Sequence, residues 1–228
     1  MNASDEEIAL SRPMRRAWLS ENERSVVYRR GQVVVRECGP WASTVHSLLR
    51  HLEDVGFAGA PRVVGSGFDP DGRETLSYIE GEFTEPGPWS LEGAADVGRL
   101  LRDLHEATAS FRIPPNAIWS PWYGRALGGP TRVISHCDVA QREGLPPLED
   151  RAHQLRAMVD AYGLSTEQRS RFVDMIIEFV VHDTAFQADE AGVTPDTTDP
   201  EALWGLAWRA RAAAWIFRHR RTLQDALL

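Results

Sequence analysis

Lysine is absent from this 228-residue chain, so all 25 of its basic residues are arginine. That excludes lysine chemistry outright: no P-loop lysine, no Schiff base and no ammonium contact to nucleotide phosphates. Cysteine is nearly as scarce. Cys38 and Cys137 are the only two, too few for a disulfide framework or a cysteine-rich zinc site. No apolar run approaches the ~20 residues that a membrane-spanning helix needs. The stretch Met1-Asn2-Ala3-Ser4-Asp5-Glu6-Glu7 has no signal-peptide character. The expectation is a cytoplasmic protein with no membrane partner. Positive charge is in the minority as well, since 33 acidic residues leave a formal charge of −8. That balance repels a nucleic-acid backbone and argues against such a partner. What the chain does have is 43% hydrophobic residues, enough for a real core in one large domain or two small lobes.

The first 25 residues are polar and lack glycine, which predicts poor order in part of them. Ser25–Tyr28 and Gln32–Arg36 then flank Arg29-Arg30-Gly31 as the two arms of a β-hairpin. Between Ala42 and Val55, the residues Val45, Leu48, Leu49, Leu52 and Val55 recur at three- and four-residue intervals, the mark of one helical face, with Gly56 as its stop. Two more strands, Pro61–Gly67 and Thr75–Ile79, border the turn Asp69-Pro70-Asp71-Gly72. A Gly-, Pro- and Glu-rich stretch from Gly81 to Ser90 is the candidate boundary, and helical periodicity dominates beyond it. Leu91–Ala109 places Val97, Leu100, Leu101 and Leu104 on one face, and Glu149–Tyr162 ends at Gly163. Ser165-Thr166-Glu167-Gln168 matches a capping box, and Asp199-Pro200-Glu201 matches a helix start. The last helix is predicted to turn Trp204, Trp208, Trp215 and Ile216 inward. The run Arg218-His219-Arg220-Arg221 reads as a basic last turn that complements the helix dipole. The resulting architecture is α+β, with a small β-rich lobe over residues 1–80 and a helical lobe over 81–228.

One short stretch carries chemistry. Val133-Ile134-Ser135-His136-Cys137-Asp138 is an apolar strand that runs into His-x-Asp. A strand-end aspartate there can accept the proton of a substrate hydroxyl. Cys137 beside a carboxylate is a buried small hydrophobe rather than a reactive thiol, because the neighbouring charge disfavours thiolate. The pairs His105-Glu106 and His182-Asp183 read as solvated helix faces rather than metal ligands.

Together with three further segments, this stretch resembles the aminoglycoside phosphotransferase-like family. The segments are Trp41–Gly65, the hinge-like Leu76-Ser77-Tyr78-Ile79-Glu80-Gly81-Glu82, and Val97–Thr108. The resemblance implies a two-lobed protein-kinase-like fold and ATP-dependent phosphorylation of a small-molecule hydroxyl acceptor. It implies Asp138 as catalytic base with His136 as its structural companion. Ser77 and Ile79 would meet the adenine edge through their main chains, and Arg36 would stand where the family has a phosphate-binding lysine. The implied cofactors are ATP and Mg2+.

The chain departs from that pattern in four places. Arg36 replaces a compact ammonium with a planar fork. Val45 occupies the helix position of the glutamate that pairs with the family's lysine. The loop over the phosphates, Leu19–Ser25, holds Glu21 and Glu23 in place of glycines, with Arg24 as a partial offset. After Ala140 the family's metal-binding asparagine, hairpin and aspartate are missing, so no metal ligand is assigned, and Glu143 or Asp150 are the only nearby substitutes. Phosphoryl transfer depends on metal neutralisation of the phosphate oxygens. The expectation is therefore a family member with an internal deletion and impaired or lost kinase activity, a pseudoenzyme. The alternatives are an active kinase with an atypical metal site and a non-catalytic nucleotide- or partner-binding module. Loss of the hairpin would also uncover the helix tryptophans and invite self-association.

Overall fold

The computed structural model describes residues 7–9, 27–81, 90–119 and 147–228. They form a mixed α+β protein in two compact units. Met1–Glu82 with Asp103–Ser120 bounds the first, and Phe83–Arg102 with Pro121–Leu228 bounds the second.

The first unit is built on an antiparallel sheet of five strands: β1 (Glu7–Ala9), β2 (Val27–Arg30), β3 (Val33–Arg36), β4 (Val63–Phe68) and β5 (Glu74–Ser77), in the order β1-β2-β3-β5-β4. β1 pairs with β2, Ile8 standing opposite Arg29 and Glu7 opposite Arg30; the rest of the first 25 residues, where part was expected to be poorly ordered, lies outside the described residues. The β2–β3 turn falls one residue later than the sequence pattern placed it. Arg30 pairs with Val33, and Gly31 supplies the positive φ of +60° that the tight reversal needs. Helix α1 (Ala42–Asp54) follows β3 and lays Leu49 and Leu52 against Phe57 and Leu76, with Val45, Leu48 and Val63 around them. Val55, expected inward, is instead the C-cap and lies exposed, because the helix ends one residue before it.

The turn between β4 and β5 is held by one carboxylate. Asp69 Oδ1 accepts the backbone N–H groups of Asp71 and Arg73, at 3.0 and 2.9 Å, while Arg73 Nε donates to Oδ2 at 3.0 Å. Burial pushes this carboxyl up, but the N–H donors and the Arg73 guanidinium outweigh it and hold the group below the ordinary 3.8. A depressed carboxyl contributes stability that is present above its unfolded value and lost as pH falls through the folded one. Asp69→Asn is expected to be less stable than the parent protein at neutral pH. In urea titrations the gap narrows as pH drops below about 3.8; a gap that holds constant in acid contradicts the assignment.

The second unit contains α3 (Leu148–Tyr162), α4 (Thr166–Glu190), α5 (Pro200–Arg218) and α6 (Arg220–Leu227), together with the first part of α2 (Leu91–Thr108). Its core gathers Leu155, Met158 and Val159 of α3, Phe172, Val173, Ile176 and Phe179 of α4, and Leu223 and Leu227 of α6. Val97 of α2 packs against this core, whereas Leu100, expected beside it, is exposed. Gly163 ends α3 in the left-handed conformation, at φ +79°. Ser165 and Gln168 form the reciprocal capping box that opens α4.

Two expectations about the C-terminal helices are corrected. Trp204 is 60% exposed, while Trp215 and Ile216 do pack on the core; the two tryptophans share nearly one side of α5, and Trp204 lies about 16 Å nearer its start. The basic run does not form a single last turn. The helix breaks at His219, α6 begins at Arg220, and that arginine grips Asp174 of α4 with both of its forks, one contact measuring 2.5 Å. No helix among the described residues is long and apolar enough to cross a membrane.

Candidate functional site around Glu74

The sheet unit buries the carboxylate of Glu74, and the local sequence explains how. Antiparallel register sets Glu74 of β5 directly opposite Arg36 of β3. Cross-strand neighbours of opposite charge attract, and Arg36 Nε donates to Glu74 Oε2 at 2.5 Å. On the other side α1 delivers His46, whose Nε2–H donates to Oε1 at 3.0 Å. His46 and Glu74 are 1% and 2% exposed, so this pair lies wholly inside, while the Arg36 side chain is 39% exposed and reaches the surface. A carboxylate taken out of water needs this kind of matching, since an unpaired buried charge is strongly destabilising.

Room for the imidazole comes from β4. Its register against β5 is irregular between Val63 and Phe68, and Gly65 and Gly67 within that stretch both have positive φ, as at a β-bulge. A Cβ placed on Gly67 would lie 2.5 Å from His46 Cε1 and Nδ1, so only glycine leaves space for the ring there. Phe68 covers the imidazole with ring centroids 4.9 Å apart. Cys38 lies nearby and donates its thiol to the Gly72 carbonyl at 3.7 Å. Burial, then the Glu74 charge, push that thiol above its ordinary 9.0, so it is held protonated and unreactive. Thr44, also buried on α1, accepts the Ile118 backbone N–H at 2.9 Å.

The residues singled out from sequence are only partly within view. Arg36 is engaged by Glu74, a strand partner rather than the helix partner that the phosphotransferase pattern led one to seek at Val45. Ser77 is tied to Arg62: its N–H donates to the Arg62 carbonyl and its Oγ accepts the Arg62 N–H, both at 2.8 Å. Ile79 lies beyond the end of β5 and is 57% exposed. His136, Cys137, Asp138 and Glu143 lie outside the described residues, as does the loop Leu19–Ser25. Asp150 stands in the first turn of α3. Asp183 is occupied by Arg209 Nε at 2.9 Å, and no group of three or more His, Cys, Asp or Glu side chains suited to a metal ion occurs among the described residues.

Sequence reasoning missed His46 and Glu74. The signals were there. His46 stands four residues after Ala42 and three before Leu49, on the buried stripe of α1. Two glycines inside a strand pattern announce a bulge or a close approach.

The fold and this site define an α+β protein whose polar centre is a matched internal charge cluster with one surface-reaching guanidinium. A trifolitoxin immunity protein from Rhizobium leguminosarum bv. trifolii is 48% identical to the chain over 254 aligned positions, covering 92% of this chain and 97% of the relative. The chain belongs to the family of that immunity protein. The alignment has more positions than the chain has residues, so the relative carries residues that this chain lacks. No protein-family model matches the chain, and no solved structure does. These findings overturn the aminoglycoside phosphotransferase assignment. With it go the transferase, kinase and pseudoenzyme readings, the atypical-metal kinase and the nucleotide-binding module, because the name carried by so similar a relative is that of an immunity protein.

Proposed function

We propose that this chain is an immunity protein, one that protects the cell producing it against a toxin. The observation that carries the proposal is the 48% identity to the trifolitoxin immunity protein, extending over 97% of that relative. A match of that length leaves no separate domain of the relative to hold its role. The element order also supports a finer reading of the scaffold. A small antiparallel sheet interrupted by α1 between its third and fourth strands, followed by a run of helices, has the succession of a two-lobed kinase-like protein. That likeness concerns architecture alone, because a fold does not fix a function.

The test is a growth assay. The chain is expressed in a strain sensitive to trifolitoxin, with an empty vector as control and immunodetection of the protein in the soluble fraction. The expected result is growth at toxin levels that arrest the control strain. Undiminished killing of cells that accumulate the intact protein overturns the proposal.

A further inference from the structure

Helix α5 presents to solvent a face that is both apolar and basic. At 100° per residue, positions seven apart nearly superimpose, and α5 uses that spacing twice. Trp204, Arg211 and Arg218 follow one another at seven-residue steps along one rim, and Leu203 and Phe217 lie two such steps apart along the other. Between the rims run Ala207 and Ala214. The large apolar members are open to solvent: Leu203 is 41% exposed, Trp204 60% and Phe217 66%. Arg211, Ala214 and Arg218 are exposed too. The opposite side of the same helix meets the core through Ala213 and Ile216, with Arg209 bound to Asp183, and Trp215 closes the edge of the face beside the Trp204 rim, nearer the end of the helix.

Three features of this face say what fits it. Its alanine floor allows close approach of a second backbone, and its seven-residue period matches the seam of two helices packed side by side. Its charge is of one sign: none of those positions is acidic, and the Arg211 guanidinium is held over the Trp204 ring, 5.1 Å from its centroid. A second copy of the chain would bring Arg211 against its own kind whether the two helices ran parallel or antiparallel, and Arg218 as well if parallel, which like-charge repulsion opposes. A lipid surface would want bulky apolar side chains at the centre of the face, where this helix has alanines.

We propose that the outward face of α5 docks an acidic amphipathic helix of a peptide or protein partner. The partner's small and branched apolar side chains lie over Ala207 and Ala214, and its carboxylates lie along the rim formed by Trp204, Arg211 and Arg218. Surface aromatic and arginine side chains are the residue types that anchor such contacts. The inference stands apart from the immunity reading. A protein that fails the growth assay yet binds an acidic helix loses the first and keeps the second.

The experiment uses the full chain and two fluorescein-labelled synthetic helices of three heptads each. Both have the same Leu/Ala seam, and they differ only in carrying Glu or Lys at the flanking positions. Fluorescence anisotropy is expected to show the Glu peptide binding at least about tenfold more tightly than the Lys peptide, with affinity that falls as salt is added. The double variant Arg211→Glu, Arg218→Glu reverses the preference. Ala214→Tyr, which fills the floor without touching charge, weakens the Glu peptide about tenfold. All of these positions are exposed, and circular dichroism confirms that each variant is folded. The proposal is overturned by any of four results. They are no binding of the Glu peptide, equal affinity for the two peptides, binding indifferent to both variants, or anionic vesicles that bind the protein when the Glu peptide does not. A concentration-dependent dimer in sedimentation velocity that Ala214→Tyr dissolves also overturns it, in favour of a second copy.

Discussion

Glu74→Ala is expected to lower the unfolding free energy by about 3–5 kcal/mol, the largest effect of any single polar substitution in the sheet unit. The side chain removed is almost fully inside, and it is the acceptor for both His46 Nε2–H and Arg36 Nε–H. Without it the imidazole keeps its burial and loses its hydrogen bond, and the guanidinium loses the charge that holds it to β5. The penalty is therefore the desolvation of the partners left behind, which exceeds the net worth of the bonds themselves. Urea denaturation followed by circular dichroism measures it. The companion substitution Arg36→Ala provides the control. Arg36 reaches the surface, so water takes over part of its role and the loss is smaller. If the two variants melt alike, Glu74 is not the hub of this cluster.

Gly98→Ala is the second large effect, and here two physical rules give opposite signs. Helix propensity favours alanine over glycine by about 1 kcal/mol in a helix interior, so an unobstructed Gly98 would gain stability from the change. The structure places an obstruction there. A Cβ on Gly98 would lie 2.2 Å from the Met158 carbonyl oxygen and 3.1 Å from Ala161 Cβ, both in α3. The first of these is backbone within a hydrogen-bonded helix and cannot swing aside as a side-chain tip can. The helices must separate, and overpacking of this kind costs about 1–3 kcal/mol, occasionally more. The expected result is a lower melting temperature with unchanged helix content well below the transition. A raised melting temperature shows that α2 and α3 are not in this contact.

Much of the architecture was legible because it rests on local signals. The capping box at Ser165 and Gln168, the left-handed stop at Gly163 and the apolar stripe of α1 are each written within one or two turns of sequence. The losses came where a distant partner decides. β1 is three residues long and exists as a strand through its pairing with β2, information that no propensity carries. Trp204 and Trp215 look alike as large apolar residues and stand on nearly the same side of α5, eleven positions or about 16 Å apart along its axis, and only where the core ends along the helix decides which of them it covers. The break at His219 goes together with the pairing of Arg220 with Asp174, far away in the chain. The internal charge cluster was hidden for the same reason, since strand register brings Arg36 and Glu74 together and a bulge admits His46. The family reading went wrong by a different route. Strand-helix-strand succession and a His-x-Asp string are shared by proteins of many roles, and neither fixes an activity.

The place where the imidazole lies over bare backbone has an evolutionary consequence. Gly67 is hollow because His46 fills it, and His46 is tolerated because Glu74 receives its proton-bearing nitrogen. Three positions scattered through the gene are thus mutually conditional. A descendant that gains a side chain at 67 must first give up the ring at 46, and one that gives up the ring no longer has a reason to keep an acid at 74 opposite anything but Arg36. Among relatives these sites are expected to drift as a set, and the rare intermediates should carry the smallest residues at 46.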